Sequence, residues 1–301
     1  MKILLTLNKT YRGLPDTGYW YTYLPLKELG HEVYWYDTVA PTEQYSYSKI
    51  IEHFKPDLIF CCMTGDKGIT PYEPWEEIAH ETETGRTKTF NWFCDDTWRF
   101  DTFSREACHS FNVSSTPDPA YIEKYKSVGY NNIIVGMWHA NSEFYPHIKF
   151  KDKDIDISFI GAPTPSRKMI FEASGVPIQN IFGVSMGELF LKHAQSKIGV
   201  NFSTNDNDPL HKTEVKQRIF EITAGAGLLF TQYHEGIERM FEIDKEIIIF
   251  KTIDELSQKA KILLDNPKYV QQLATAGHKR FMAEHDSKIR LAALIEQIGE
   301  L

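Results

Sequence analysis

Two short stretches of this sequence carry the residue types that phosphate and ribose recognition needs. The first, Ile157 to Lys168 (ISFIGAPTPSRK), is an apolar strand pattern, a turn containing Gly161 and two prolines, a Ser N-cap at Ser166, and a helix opening with Arg167 and Lys168. Amide N–H groups at a helix N-terminus, with two cations beside them, favour a phosphate dianion. The bland alternative is a plain strand-to-helix turn with solvated cations. The second stretch, Lys216 to Gly227 (KQRIFEITAGAG), reads as a helix running into a Gly-rich end. Arg218 and Glu221 are three residues apart and share a helix face, while Ile219, Ile222 and Ala226 mark the buried side. An ionised carboxylate only accepts hydrogen bonds, so Glu221 could hold two adjacent ribose hydroxyls while Arg218 neutralises phosphates. The alternative is an intrahelical ion pair, which contributes only ~0.3 to 0.5 kcal/mol. Gly225 and Gly227 favour the binding reading, since they would cap the helix and let backbone approach a ligand. Lys216, which opens the stretch, joins the candidate set for phosphate and ribose binding.

Such residues need a scaffold that brings strand ends together. The first half alternates β-rich segments, at about 2–7, 32–36, 57–62, 88–93, 110–114 and 132–136, with helical patterns that include a helix at 18–29. This is the signature of a parallel sheet covered on both faces. The pattern breaks at 136–154, where a linker is expected. It resumes with strands at 155–160, 178–182, 197–202, 227–231 and 246–250. Helices are expected between them at 166–174, 185–194, 213–224 and 235–241, and three more begin near Ile253, Pro267 and Ser287. The expected fold class is α/β, with two facing Rossmann-like, doubly wound domains and ligands in the interdomain cleft, at the carboxyl ends of the strands. The expected division is 1–150, 151–285, and a terminal helix at 286–301 that packs back on the first domain.

Composition narrows the function classes. The chain has 301 residues, 42% hydrophobic and 25% charged, which is ordinary for a soluble globular protein. Its net charge of -8, without a basic run, argues against a nucleic-acid binder. Apolar runs are far short of a membrane span, and the first residues lack a secretory signal pattern, so a cytoplasmic location is expected. Cys61, Cys62, Cys94 and Cys108 lack zinc-site spacing and read as reduced core residues. Of the 40 aromatic residues, 28 lie in the first half, including all six Trp. The two halves therefore differ in kind.

The stretch from Asp156 onward resembles the C-terminal domain of GT-B glycosyltransferases of the spore-maturation CgeB-like group. The pieces that carry the resemblance are SFIGAPTPSR, SKIGVNFS, KQRIFEITAGAGLLFTQYHEGIERMFE, KEIIIFKTIDEL and AGHKRFMAEHD, in the family's order. Shorter similarities occur at LKELGHEV, FNWFCDDTWRF and GMWHANSEFYP. The resemblance implies a nucleotide-sugar site in the second domain and an acceptor site in the first. It implies Glu221 as the ribose carboxylate, Arg218 and the Arg167 turn as diphosphate contacts, and Phe182 and Gly183 as the nucleobase edge. The sequence departs from the large retaining families, which have two Glu separated by seven residues: Thr213 stands eight before Glu221, with Glu214 one position off. Retention of configuration is the leaning.

Glycosyl transfer leaves negative charge on a diphosphate, and Arg167, Lys168, Arg218 and helix N-termini could stabilise it without a metal or other cofactor. A UDP-sugar is the expected donor. The D-x-D spacings at Asp152/Asp154, Asp154/Asp156 and Asp206/Asp208 read as solvated loop pairs. A base must take the acceptor's proton, and Asp95 and Asp96 follow a strand at its carboxyl end. At most one should act, and a helix N-cap is the competing role. His139 is a further candidate at the hinge. Aromatic segments at 19–23 and 92–98, with Trp20 and Trp98, are a candidate acceptor platform for a carbohydrate or glycoconjugate. A nucleic-acid acceptor is disfavoured. The competing functions are a nucleotide-sugar epimerase and a non-catalytic nucleotide-sugar-binding protein.

Overall fold

The computed structural model describes residues 1–11, 13–42, 45–136, 138–206 and 212–301. The chain divides into two compact units, one of Met1–Met137 with Arg290–Leu301 and one of Trp138–Ile289. Residues 138–150 and 286–289 thus cluster with the second unit.

The first unit holds a six-stranded parallel sheet. Its strands are β1 (Lys2–Thr6), β4 (Glu32–Tyr36), β5 (Leu58–Cys61), β6 (Lys88–Trp92), β7 (Val113–Thr116) and β8 (Ile133–Val135), in the order β4-β1-β5-β6-β7-β8. A two-stranded antiparallel hairpin, β2 (Thr10–Tyr11) with β3 (Leu14–Pro15), follows β1. The helices are α1 (Leu24–Glu28), α2 (Tyr47–Phe54), α3 (Trp75–Thr84), α4 (Asp96–Arg99), α5 (Arg105–Ala107) and α6 (Ile122–Ser127). Central strands such as β5 are buried along their whole length, as expected for a sheet covered on both faces. The helix expected at 18–29 is instead a π-helical turn, Tyr19–Tyr23, followed by α1. Pro25 has no N–H to return to Tyr21, and the Leu24 N–H reaches back to the Tyr19 carbonyl five residues away.

The second unit repeats the plan with five parallel strands, β9 (Ile155–Ile160), β10 (Gln179–Ile181), β11 (Ser196–Asn201), β12 (Leu228–Gln232) and β13 (Ile248–Phe250), in the order β10-β9-β11-β12-β13. Around them lie α7 (Pro165–Ser174), α8 (Met186–Gln195), α9 (Arg218–Ala224), α10 (Ile253–Asp265), α11 (Pro267–Glu284) and α12 (Ser287–Glu300), the last of which ends in the first unit. Ile157, Phe159, Ile198, Val200, Leu228, Phe230, Ile248 and Phe250 form one core with Leu256, Leu263 and Leu273 from the covering helices. In both sheets the order reverses beside the first strand. That reversal opens a crevice at the strand carboxyl ends, between β9 and β11 in this unit.

Two local readings are corrected here. The helix expected at 213–224 begins only at Arg218. Residues before it pair with the chain after β11, through the Glu214 N–H to the Ser203 carbonyl at 3.0 Å and a bridge between Thr204 and Thr213. The segment expected to be helical at 235–241 contains only a 3₁₀ turn, Ile237–Arg239, entered through Gly236 at φ 91°.

Lys153 is 4% exposed, just before β9, and its ammonium donates to the carbonyls of Ala194 and Gly225, at the ends of α8 and α9. Burial lowers its pKa to about 8 from 10.5. Between those values the unfolded chain holds a proton that the folded chain has released, so this group adds stability as pH rises through the window and loses it as pH falls. The whole span corresponds to about 3 kcal/mol. In thermal denaturation from pH 7.5 to 10, the wild type should gain stability relative to Lys153→Met, whereas parallel pH profiles for the two would contradict this account.

Candidate functional site

In the second unit, Arg218 sits at the first position of α9 and reaches across the crevice. Its Nε donates to the Ile160 carbonyl at the end of β9 (2.7 Å), and Nη1 donates to Asn201 Oδ1 at the end of β11 (3.0 Å). Its guanidinium carbon lies 4.5 Å from the centre of the Phe159 ring, and that of Arg167 lies 5.2 Å from the same ring. Gly161 makes this possible, since a Cβ there would fall 2.5 Å from Arg218 Nη2. Two guanidinium groups therefore gather at the strand ends. Burial and the charge of Arg167 lower the Arg218 pKa to about 10, with Glu221 opposing the shift, and burial also lowers Arg167. An anion placed against the pair would offset the cost of gathering them.

The backbone contribution at α7 is smaller than the sequence suggests. The N-cap is Thr164, not Ser166, and its hydroxyl accepts the Arg167 N–H at 3.5 Å. Pro165 has no N–H, and the Lys168 N–H is bonded to the Thr164 carbonyl. Side chains, more than free amides, supply positive charge here. Ser166 donates to Asp206 at 2.6 Å, and Asp206 stands 3.9 Å from Arg167. Lys168 is exposed on the first turn.

Glu221 lies one turn into α9, 7% exposed, with an oxygen 3.6 Å from Nε2 of the buried His193 on α8. Glu214 is also buried and pairs with Lys216, while Asn205 donates to it at 2.8 Å. No signal in the sequence singled out His193 or Asn201; their roles follow from β11 and α8 lying beside β9 and α9. Phe182 is 64% exposed just past β10, the strand on the other side of β9, and Gly183 follows it in the left-handed region at φ 74°. Gly225, in contrast, does not open backbone to a ligand. A Cβ there would meet the His193 backbone at 2.8 Å, so this glycine lets α9 end against α8. Gly227 likewise abuts the Ser196 carbonyl.

In the first unit, a small pocket at the carboxyl ends of β5 and β6 is lined by Cys62, Thr64, Trp92, Cys94, Asp95 and Arg99, among others. Its volume of about 30 Å³ has room for one water and not for a sugar ring. Asp95 is half-buried on its wall, whereas Asp96 is 1% exposed and accepts the Tyr125 hydroxyl at 3.0 and 2.9 Å. The two adjacent carboxylates thus face different surroundings, and Asp96 belongs to the core. Neither caps α4 through its side chain: Asp95 holds the N-cap position but its side chain does not bond to the helix's first amides, and Asp96 is the first helical residue.

The aromatic platform is corrected in part. Trp92, Phe93 and Phe100 are core residues, as is Tyr21. Trp98 is half-buried, with the Arg99 guanidinium 5.5 Å from its ring centre. Trp20 is half-buried on the π turn, edge-on to Tyr19, which stacks on Tyr23 and Trp35. His139 is 3% exposed and bonded through Nδ1 to the Ser287 hydroxyl at 2.8 Å, so it joins the segment after β8 to the start of α12 and is not open to an acceptor. Cys62 and Cys94 are half-buried at the pocket, so only Cys61 and Cys108 are the core residues expected. Among the described residues no group of three or more His, Cys, Asp or Glu is arranged to hold a metal; Asp156 pairs with Lys197 at 2.7 Å, and Asp208 lies outside the described residues. No helix among them is long and apolar enough to cross a membrane.

Burial raises the Asp96 pKa to about 6 from 3.8, against hydrogen bonds from Thr116, Ser104 and Tyr125, and the charge of Asp95 adds to the rise. Here the folded state holds the extra proton between about pH 4 and 6, so stability is present at low pH and is lost as pH rises through the folded value. Asp96→Asn should therefore be more stable than the wild type at pH 7.5, by up to roughly 3 kcal/mol, with a smaller advantage at pH 4.5. Urea denaturation at both pH values checks this, and an advantage independent of pH would count against it.

Residues 150–296 match the family model described as glycosyl transferase-like. No curated protein matches the chain. Among solved structures, a glycosyltransferase from Rickettsia africae is 10% identical, with a TM-score of 0.69 over 99% of this chain and 98% of that one. The Anabaena protein HepE, in complex with UDP and glucose, is 10% identical, with a TM-score of 0.68 over the whole of both chains. An alpha-glucosyltransferase in complex with UDP and a 13-mer DNA is 11% identical, with a TM-score of 0.64 over 99% of each chain. With its two parallel, doubly wound sheets the chain has the GT-B fold of these structures, and its segment 150–296 is similar to the glycosyl transferase-like family.

Proposed function

We propose that the protein transfers a hexosyl group from a UDP-sugar to a hydroxyl of a carbohydrate or glycoconjugate, without a metal and with retention at the anomeric carbon. One observation carries the reading: Arg167 and Arg218 both pack on the ring of Phe159 near the ends of β9 and β11, with Glu221 one turn further along α9. In this reading the arginines, the exposed Lys168 and the half-buried Lys216 take the diphosphate, which develops charge as the sugar departs. Glu221, held beside His193, accepts from the ribose hydroxyls. Phe182 and Gly183, past the neighbouring strand end, take the uracil edge. The guanidinium pair makes metal-free neutralisation chemically sufficient, because a diphosphate left by the sugar meets two fixed cations. Retention is supported by Glu214, a second buried carboxylate ahead of α9. Asp95, with Trp20 and Trp98 of the same unit, supplies the acceptor side, the carboxylate as base and the rings as apolar surfaces for a sugar.

Calorimetric titration with UDP in the presence of chelator should give binding, and Arg218→Lys and Glu221→Ala should each weaken it about tenfold or more, equivalent to ~1.4 kcal/mol. Lys keeps the charge but loses the two-pronged geometry. Unchanged affinity in both variants, with unaltered circular dichroism, would remove these residues from the site. Incubation of UDP-sugars with a saccharide panel, followed by mass and anomeric NMR analysis, then tests transfer and its stereochemistry. An epimerised donor formed without acceptor would replace the transferase reading.

A further inference from the structure

The first unit contains a pair of sulfurs that the glycosyl-transfer reading does not use. Cys62 follows β5 directly and Cys94 lies two residues past β6, and these strands are hydrogen-bonded parallel neighbours. Their Sγ atoms are 3.4 Å apart, both residues are half-buried, and both line the pocket whose wall includes Asp95. Cys61 and Cys108, by contrast, are fully buried. We propose that Cys62 and Cys94 form a reversible disulfide that clamps the segment carrying Asp95. The sulfurs are already in contact, so small side-chain rotations bring them to the roughly 2 Å of a covalent bond.

The oxidant required is a low-molecular-weight disulfide such as glutathione disulfide. The Cys62 thiolate attacks one sulfur of that disulfide, releases one glutathione thiolate, and leaves a Cys62–glutathione mixed disulfide. The Cys94 sulfur then attacks Cys62 Sγ and expels the second glutathione. Two electrons pass from the protein thiols to the small disulfide, and the two thiol protons end on the two glutathiones. The order of attack follows from the surroundings. Burial, the neighbouring Cys62 and the charges of Asp95 and Asp96 hold the Cys94 thiol well above the usual range, which leaves Cys62 as the first nucleophile and Cys94 as the resolving one. Because Cys94 directly precedes Asp95, a covalent tie to β5 fixes the start of the Asp95–Arg99 segment.

The sulfur chemistry stands apart from the proposed transfer reaction, so its test does not need that reaction. The full chain is equilibrated in graded glutathione/glutathione disulfide buffers, quenched by alkylation, and examined by intact mass and peptide mapping. The expected result is the loss of two hydrogen atoms and a cross-linked peptide joining Cys62 to Cys94, both reversed by dithiothreitol. In Cys94→Ser, a glutathione adduct on Cys62 should accumulate instead. Amide hydrogen exchange in residues 92–99 should slow in the oxidised protein. If the most oxidising buffer yields no cross-link, or if a Cys62 adduct persists in the native chain, the disulfide is overturned. Unchanged exchange in the cross-linked protein overturns the clamp. A requirement for UDP is not part of any of these outcomes, so a failure here leaves the donor-site reading untouched and the converse holds as well.

Discussion

The arrangement of the second unit depends on one guanidinium group. Arg218 bonds the ends of two neighbouring strands, and in doing so it fixes where α9 begins. Everything downstream on that helix follows from this anchor. Glu221 is carried one turn further to the side of His193, and the helix runs on until Gly225 meets the backbone of α8. The anchor has an electrostatic cost, because a second guanidinium packs on the same aromatic ring and both are drawn partly out of water. An anion bound between them would relieve that repulsion, and this relief would add to its affinity.

The first unit uses the same sheet plan with different chemistry at the strand ends. Where the second unit gathers cations, the first gathers a carboxylate, two thiols and half-buried aromatic rings. The adjacent residues Asp95 and Asp96 illustrate how backbone direction separates roles. One stays at the pocket wall, and the other enters the core with Tyr125. A parallel sheet makes this division available at every strand end, because each strand terminates on the same side and hands its next residues to a loop.

Much of this was legible in the sequence. Short, largely apolar strands, such as Leu58–Cys61 and Ile155–Ile160, announce themselves because a parallel strand covered on both faces is buried along most of its length. The Arg218/Glu221 spacing on a helix was readable for the same reason of periodicity. What was not readable depends on tertiary partners. The first residues of the expected helix at 213–224 are taken by pairing with the chain after β11, which local propensity does not reveal. The glycines after α9 looked like ligand-approach residues, but their neighbours turn out to be α8 and β11. His139 could be recognised as a hinge residue, yet the partner that withdraws it from solvent lies 148 positions further on. The proximity of Cys62 to Cys94 is likewise a matter of strand order, since nothing in a C-x₃₁-C spacing distinguishes neighbours from strangers.

The buried Lys153 has a consequence for where the second unit can be cut. Strand boundaries suggest Ile155 as the natural first residue of an excised second unit, and the linker composition suggests much the same place. Such a fragment would lack the ammonium that collects the terminal carbonyls of α8 and α9. A fragment that keeps this contact has to start upstream of the first strand, because the apparent linker supplies part of the unit's keystone.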